Sequence, residues 1–137
     1  MRHHGLRRRG ERGSTLVEFA IVFPVVLLIL MGILQYGYRY WALQTASATA
    51  REAARRAAVG TDWTCTAAEA RDRATHAATG TVTVTRSPAV PTQGGLVTVT
   101  VSFPSLHLGF VPLSGDGTVT QTATARVESL PTSALTC

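Results

Sequence analysis

The 137-residue chain has no lysine, and it contains only two cysteines, four histidines and eight acidic residues. It shows no glycine-rich phosphate loop, no pair of acids in a catalytic context and no nucleophile elbow. His76 and His107 stand far apart without a closely spaced cysteine, which argues against a metal site. These absences predict that the protein is not an enzyme and uses no metal, no cofactor and no small-molecule substrate.

All basic residues are arginines, and they are unevenly distributed. A net charge of +5 would ordinarily suggest a nucleic-acid partner. However, residues 1–13 carry five arginines against Glu11, so most of the net charge precedes an apolar run. A basic segment in front of an apolar span keeps the N-terminus cytoplasmic. We therefore expect a membrane partner and no nucleic acid.

The apolar run extends from Leu16 to Leu34 and contains a single charged side chain. A helix crosses a bilayer with about 20 apolar residues, so we predict a transmembrane segment over about 16–38. The aromatic cluster that follows marks the outer membrane–water interface. Its members are Tyr36, Tyr38, Tyr40 and Trp41. Residues 61–137 are then expected to form an extracytoplasmic head.

Two kinds of cleaved signal sequence fit this N-terminus poorly. Ala46-Ser47-Ala48 has the spacing of a signal-peptidase site, but it lies well beyond the apolar run. Arg7-Arg8-Arg9 suggests a twin-arginine signal, yet the apolar segment is too long for one. An uncleaved anchor stays open as an alternative. The chain would then be a single-pass envelope protein whose head binds a surface ligand or partner.

An uncleaved anchor does not account for Glu18 inside the apolar run. A carboxylate in a membrane helix costs about 3 kcal/mol on insertion scales, so it calls for a partner. Cleavage between Gly13 and Ser14 would create an α-ammonium four residues before Glu18. This amine is protonated near neutrality, and it attracts a carboxylate strongly in a low-dielectric setting. Glu18 is therefore the candidate assembly residue.

The segment from Gly13 to Glu18 resembles a type IV prepilin processing site, where a peptidase cuts after glycine and the fifth mature residue is glutamate. Together with the residues that follow, it is similar to the TadE-like family of pseudopilins from tight-adherence (Tad) pilus systems. The shared features are a small residue, a VEFA-type segment, a proline, glycines in the span and an alanine-rich segment. In this chain they are Gly13, Val17–Ala20, Pro24, Gly32 with Gly37, and Ala50–Arg55.

The resemblance implies a minor pilin or pseudopilin that is processed by a prepilin peptidase and takes part in assembly of a Tad-type pilus. Its implied partners are that peptidase, other Tad pilins and the pilus assembly machinery. Residues 1–13 would be a basic cytoplasmic leader, and residues 14–60 the TadE-like N-terminal helix. The protein would lie in the cytoplasmic membrane with its head outside, and in a surface pilus after processing.

The hydrophobic pattern predicts an α+β fold, with a long pilin-like N-terminal helix and a small head of one short helix and a three-stranded antiparallel sheet. Pro24 is expected to kink the first helix because it lacks an N–H, and Gly60 is expected to end it. The small-residue stripe of this helix packs on its own head or on other subunits. The stripe consists of Ala46, Ala50, Ala53 and Ala57.

A second helix is predicted over 66–78, followed by strands over 81–85, 96–103 and 118–127. In the strands, valines and threonines alternate, so one face is apolar and the other polar. The expected inward residues are Val82, Val84, Val97, Val99, Val101, Phe103, Val119, Ala123, Ala125 and Val127. Gln121 interrupts the apolar face of the third strand. Turn-rich segments between the strands predict an antiparallel meander.

Cys65 and Cys137 are the only cysteines, and both lie outside the membrane in this topology. Disulfides persist in such a compartment. A bridge between them would tie the C-terminus to the head and contribute on the order of 4 kcal/mol in the chain-entropy model. Two unpaired thiols or an intermolecular bond are the alternatives.

Overall fold

A computed structural model describes residues 11–107 and 117–130 of the chain. Two helices precede three strands, which confirms the α+β class predicted from the sequence. The elements are α1 (Glu11–Ala58), α2 (Trp63–Thr75), β1 (Thr83–Ser87), β2 (Leu96–Pro104) and β3 (Thr118–Arg126). The chain divides into two units, Met1–Leu34 and Gln35–Cys137, and α1 contributes residues to both.

The first unit contains the N-terminal part of α1, whose side chains are exposed throughout residues 13–30. The apolar side chains cover the whole circumference of the helix, so this part has no polar face to turn towards water. By length and composition, α1 is the one described helix that can cross a membrane. The predicted membrane-length run is therefore helical.

In the second unit, one face of α1 consists almost entirely of buried alanines, and we call it the alanine face. It comprises Ala42, Ala46, Ala50, Ala53, Ala54 and Ala57. Most of these alanines share a core with alanines of α2 and with valines of the sheet. Methyl side chains allow close approach of the neighbouring elements, since little volume separates the backbones. Of the two predicted uses of the stripe, packing on its own head is the one observed.

The expected stop at Gly60 is confirmed by its backbone conformation. Its φ of 80° lies in the left-handed region, and the N–H of Thr61 donates to the carbonyl of Arg56 (3.0 Å), as in a Schellman motif. A Cβ at Gly60 would also stand 3.0 Å from the carbonyl carbon of Leu130. Both the torsion angle and the close approach therefore require glycine at this position.

The chain that follows β3 returns to the C-terminal end of α1. The N–H groups of Glu128 and Ser129 both donate to the carbonyl of Ala58, at 2.8 and 3.2 Å. Val127, just before them, is buried in a small cluster with Ala57 and Val97. The carbonyl of Ala58 lies at the end of α1, where no further helical N–H can donate to it. The segment after β3 supplies the missing donors.

Helix α2 occupies Trp63–Thr75 and begins three residues earlier than the predicted span of 66–78. The carboxylate of Asp62 caps the helix by accepting hydrogen bonds from the N–H groups of Thr64 (2.7 Å) and Cys65 (3.2 Å). Asp is a strong N-cap residue. The predicted span was based on the periodicity of the apolar residues, which does not reveal a cap. The N-cap therefore sets the start of the helix.

The three strands form an antiparallel sheet in the order β1-β2-β3, which confirms the predicted meander. Every predicted inward valine is buried, as is Phe103, whereas Ala123 and Ala125 are only partly buried. The outward face carries hydroxyl pairs across β2 and β3, Thr98 with Thr124 (3.0 Å) and Ser102 with Thr120 (2.8 Å). The sheet thus has one apolar and one polar face.

Strand β1 is shifted by two residues from its predicted span of 81–85 and occupies Thr83–Ser87. Its pairing with β2 begins at Thr83 opposite Ser102. It ends before Pro88, which has no N–H to donate to a neighbouring strand. The shift keeps the same alternation, so Val84 still faces the core.

Replacement of Ala50 by leucine is expected to destabilise the head. Ala50 is fully buried in the alanine face, and overpacking at such a site costs about 1–3 kcal/mol of unfolding free energy. Urea unfolding of the detergent-solubilised chain measures the change. Ala48→Leu is the matched control, because Ala48 is exposed on the same helix and should change stability by less than about 0.5 kcal/mol. Equal effects of the two substitutions would contradict this packing.

Candidate functional site

The predicted processing and assembly residues lie in the first turns of α1. Gly13 and Ser14 follow the start of the helix at Glu11, and Glu18 lies one turn after Ser14. All three are exposed, and a Cβ added at Gly13 would meet no atom within 4 Å. Residues four apart share one face of a helix, so α1 places Ser14 and Glu18 on the same side.

Pro24 lies within α1, and the helix continues through it for many residues. Since proline has no N–H, the carbonyl of Ala20 loses its usual intrahelical donor. In the turn before it, the rings of Phe19 and Phe23 pack against each other with centroids 5.5 Å apart. The proline therefore does not end the helix, and the kink at this residue stays a prediction.

The aromatic cluster predicted for the membrane interface is divided between two roles. Tyr36, Tyr40 and Trp41 are exposed, as an interfacial role requires. Tyr38 instead donates its hydroxyl to the carbonyl of Ala77 (3.2 Å) and packs edge-on against Trp41 (5.4 Å). One member of the cluster thus attaches α1 to the segment that follows α2.

Gln35 is a residue that the sequence analysis missed. Its side chain is 1% exposed, and neither amide atom has a hydrogen-bond partner among the described residues. An unsatisfied buried amide costs about 1–3 kcal/mol, so its presence here is unfavourable for the isolated head. The available signal was its position directly after the apolar run, as the first polar side chain that follows Glu18.

A network of partly exposed ion pairs connects α1 to α2 at the surface of the head. Glu52 accepts from Arg55 (2.9 Å) and Arg56 (2.8 Å), which lie three and four residues after it on the same side of the helix. Arg56 also binds the carboxylate of Glu69 on α2 (2.9 Å), and Arg73 reaches the same carboxylate (2.6 Å). The contact between the helices was not visible in the sequence, because it joins residues of two separate elements.

The hydrogen bonds from Arg55 and Arg56 lower the pKa of Glu52 from 4.5 to about 2. Both bonds favour the ionised carboxylate, and they outweigh the opposing effect of desolvation by burial. Glu52 therefore stays ionised until the pH falls to about 2.

Cys65 lies in the first turns of α2, next to the Asp62 cap. Cys137 lies outside the described residues, so the pairing of the two cysteines stays a prediction. Residues 1–10 of the predicted leader and residues 131–137 of the predicted head are likewise outside the described ranges.

The fold is α+β, with one long N-terminal helix that is able to cross a membrane, a short second helix and a three-stranded antiparallel sheet. The family model described as TadE-like protein matches residues 13–55, which confirms the resemblance found in the sequence. The match covers α1 from Gly13 onward and none of the sheet. No curated protein and no solved structure matches the chain. The family likeness associates the chain with Tad pilus systems and with a membrane.

The unfolding free energy of the head is expected to fall as the pH drops from about 4.5 to about 2. A carboxylate with a lowered pKa in the folded state stabilises that state above its unfolded pKa, and this contribution disappears on protonation. Glu52→Gln should therefore be less stable than the parent chain at neutral pH, and the difference should vanish near pH 2.

Thermal unfolding at a series of pH values measures this effect. Asp72→Asn removes an acidic group that makes no ion pair among the described residues, and so controls for net charge. A constant difference between Glu52→Gln and the parent across this pH range would contradict the assigned ion pairs.

The predicted bond between Cys65 and Cys137 is testable by intact-mass spectrometry of the purified chain. The oxidised monomer should be two hydrogen masses lighter than the reduced one, and iodoacetamide should modify it only after reduction. Cys65→Ser should lower the unfolding free energy by about 4 kcal/mol. Alkylation without reductant, or a dimer on a non-reducing gel, would contradict an intramolecular bond.

Proposed function

We propose that the protein is a minor pilin or pseudopilin that a prepilin peptidase processes and that takes part in assembly of a Tad-type pilus. The observation that carries this proposal is the exposed apolar part of α1, which coincides with the match to the TadE-like family. Such a surface is stable only in lipid or against other apolar helices. A pilin subunit is surrounded by lipid while it is in the membrane, and by apolar helices of other subunits once it is in a filament.

Processing would expose a new amine at one end of this helix. After cleavage behind Gly13, the α-ammonium of Ser14 lies one helical turn before the carboxylate of Glu18. A positive charge is unfavourable at a helix N-terminus, and a carboxylate in the first turn is favourable. Glu18 therefore compensates the charge that cleavage creates, either in its own chain or in a neighbouring subunit.

The surroundings of the cleavage site support access by a peptidase. Gly13 is exposed, and outside its own stretch of helix no atom of the described residues lies within 4 Å of the position that a Cβ would occupy. Glycine also weakens the first turn of α1, since it is about 1 kcal/mol less favourable than alanine in a helix. The helix can thus unwind at the Gly13–Ser14 bond at a low cost in free energy, so that this bond can enter a peptidase site.

The proposed role of the protein is structural and requires neither catalysis nor a cofactor. The membrane would hold α1 with its N-terminus cytoplasmic and the head outside. During assembly, the helix would leave the lipid and pack among helices of other subunits. The pairing of Ser14 with Glu18 lowers the cost of keeping both charges in that apolar surrounding.

Cleavage is the first prediction of this proposal. Mass spectrometry of the protein from a host with an active prepilin peptidase should show a chain that starts at Ser14. Gly13→Ala should abolish this product, because the prepilin processing site that this segment resembles is cut after glycine. Gly32→Ala is the matched control, since Gly32 lies in the same helix with no atom within 4 Å of its added Cβ.

A full-length chain in such a host would contradict the proposal and favour the uncleaved envelope protein. Cleavage of the Gly13→Ala variant at Ser14 would contradict the assigned recognition of Gly13. Glu18→Gln separates processing from assembly. It should still be cut, yet it should be depleted from sheared pilus fractions relative to the parent chain, because the amine loses its counter-ion. Equal amounts in those fractions would argue against the role of Glu18.

A further inference from the structure

Strand β3 lies at one edge of the sheet, with β2 as its only neighbouring strand among the described residues. From Val119 to Arg126, none of the described residues forms a backbone hydrogen bond to this outer side. The strand is nine residues long, and its pairing with β2 runs without a bulge from Thr118 to Arg126. A long, regular edge of this kind is a template for another strand.

The opposite edge of the sheet is protected in several ways. Strand β1 is only five residues long and is followed directly by Pro88. Beside it, the guanidinium of Arg86 lies 4.9 Å from the ring centre of Trp63 on α2. Short length, proline and a covering helix are devices that prevent edge pairing. Strand β3 contains no proline, and its one charged residue is Arg126 at the end.

The inward face of β3 is also incompletely covered. Val97, Val99 and Val101 of β2 are fully buried, whereas Ala123 and Ala125 of β3 are only partly buried. Between β3 and α1 lies a groove of about 290 Å³. Small apolar residues contribute to its walls from both elements, namely Ala54, Ala58, Val59, Ala123 and Ala125. The groove therefore has room for apolar side chains from a further strand.

The rim of the groove is positively charged. It carries Arg51, Arg55 and Arg126 against the single carboxylate of Glu128. Arg55 is paired with Glu52 on α1, while Arg51 forms no ion pair among the described residues. Among the described residues, the Arg126 side chain makes one hydrogen bond, from its Nε–H to the carbonyl of Gly94 (3.0 Å). Free guanidinium N–H groups bind carboxylates well, often in a bidentate manner.

We propose that the outer edge of β3 and this groove bind an extended, acidic segment of a different protein. The segment adds a fourth strand to the sheet, with alternate apolar side chains in the groove and carboxylates near Arg51 and Arg126. A second copy of this chain that paired through its own β3 is a poor occupant, because that strand would bring a like charge, Arg126, and no carboxylate. The proposal concerns the head alone and does not depend on cleavage at Gly13.

Hydrogen–deuterium exchange of the full chain in detergent micelles tests the proposal. The probe is a nine-residue synthetic peptide in which glutamate and valine alternate. We expect it to slow exchange of alternate β3 amides between Val119 and Arg126. Two control peptides, one with lysine in place of glutamate and one with a central proline, should give no protection. Protection by the lysine peptide, or none by the acidic peptide at millimolar concentration, would overturn the proposal.

Variants of the rim separate charge recognition from backbone pairing. Arg51→Glu combined with Arg126→Glu should weaken peptide binding about tenfold or more. Arg51→Glu alone should show a smaller loss, and it leaves the bond from Arg126 to Gly94 intact. Arg71→Glu is the matched control, because Arg71 is exposed on α2 outside the groove and should not alter binding. Unchanged binding in the double variant would overturn the assigned partner chemistry.

Protection of the β3 edge without any peptide would also overturn the proposal. If it were independent of protein concentration, the chain itself would occupy the edge. If it increased with protein concentration, a second copy would be the occupant.

Discussion

The packing of the alanine face of α1 against the apolar face of the sheet is the contact on which the rest of the head depends. The alanines of α1, those of α2 and the valines of the sheet belong to one buried cluster. The core therefore consists mainly of alanine and valine, with Phe103 as its largest fully buried side chain. A core of small side chains buries a modest apolar area, so its contribution to stability is also modest. Contacts near the C-terminal end of α1 stabilise the head further. The hydrogen bonds to Ala58 and the ion pairs of Glu52 are two such contacts.

One helix thus presents two kinds of surface along its length. The residues from Gly13 to Leu30 are exposed and mostly apolar, which suits lipid or the helices of other subunits. From Ala42 onward, one side of the helix is buried within its own head, so it is not available to a neighbouring subunit. The exposed N-terminal part is consequently the portion that an assembly would use, and the family match begins there, at Gly13.

The two edges of the sheet differ for a related reason. Helix α2 lies near β1, where Trp63 contacts Arg86, while α1 leaves a groove beside β3. Ala123 and Ala125 of β3 accordingly stay partly exposed on the inward side of the sheet. The head is therefore asymmetric, with one protected edge and one that is open among the described residues.

The sequence by itself determined the helical apolar run, the alternation of the strands, the stop at Gly60 and the spacing of Gly13, Ser14 and Glu18. These features are local, because each depends on residues within a few positions of one another. The predicted start of α2 was three residues too late. The side chain of Asp62 caps the helix before the first residues of the apolar pattern, so the cap and not the pattern sets the start. Only the tertiary structure decided that Arg56 meets Glu69, that the Gln35 amide is buried and that a groove lies beside β3. These depend on contacts between elements that are distant along the chain, whose relative positions no local pattern specifies.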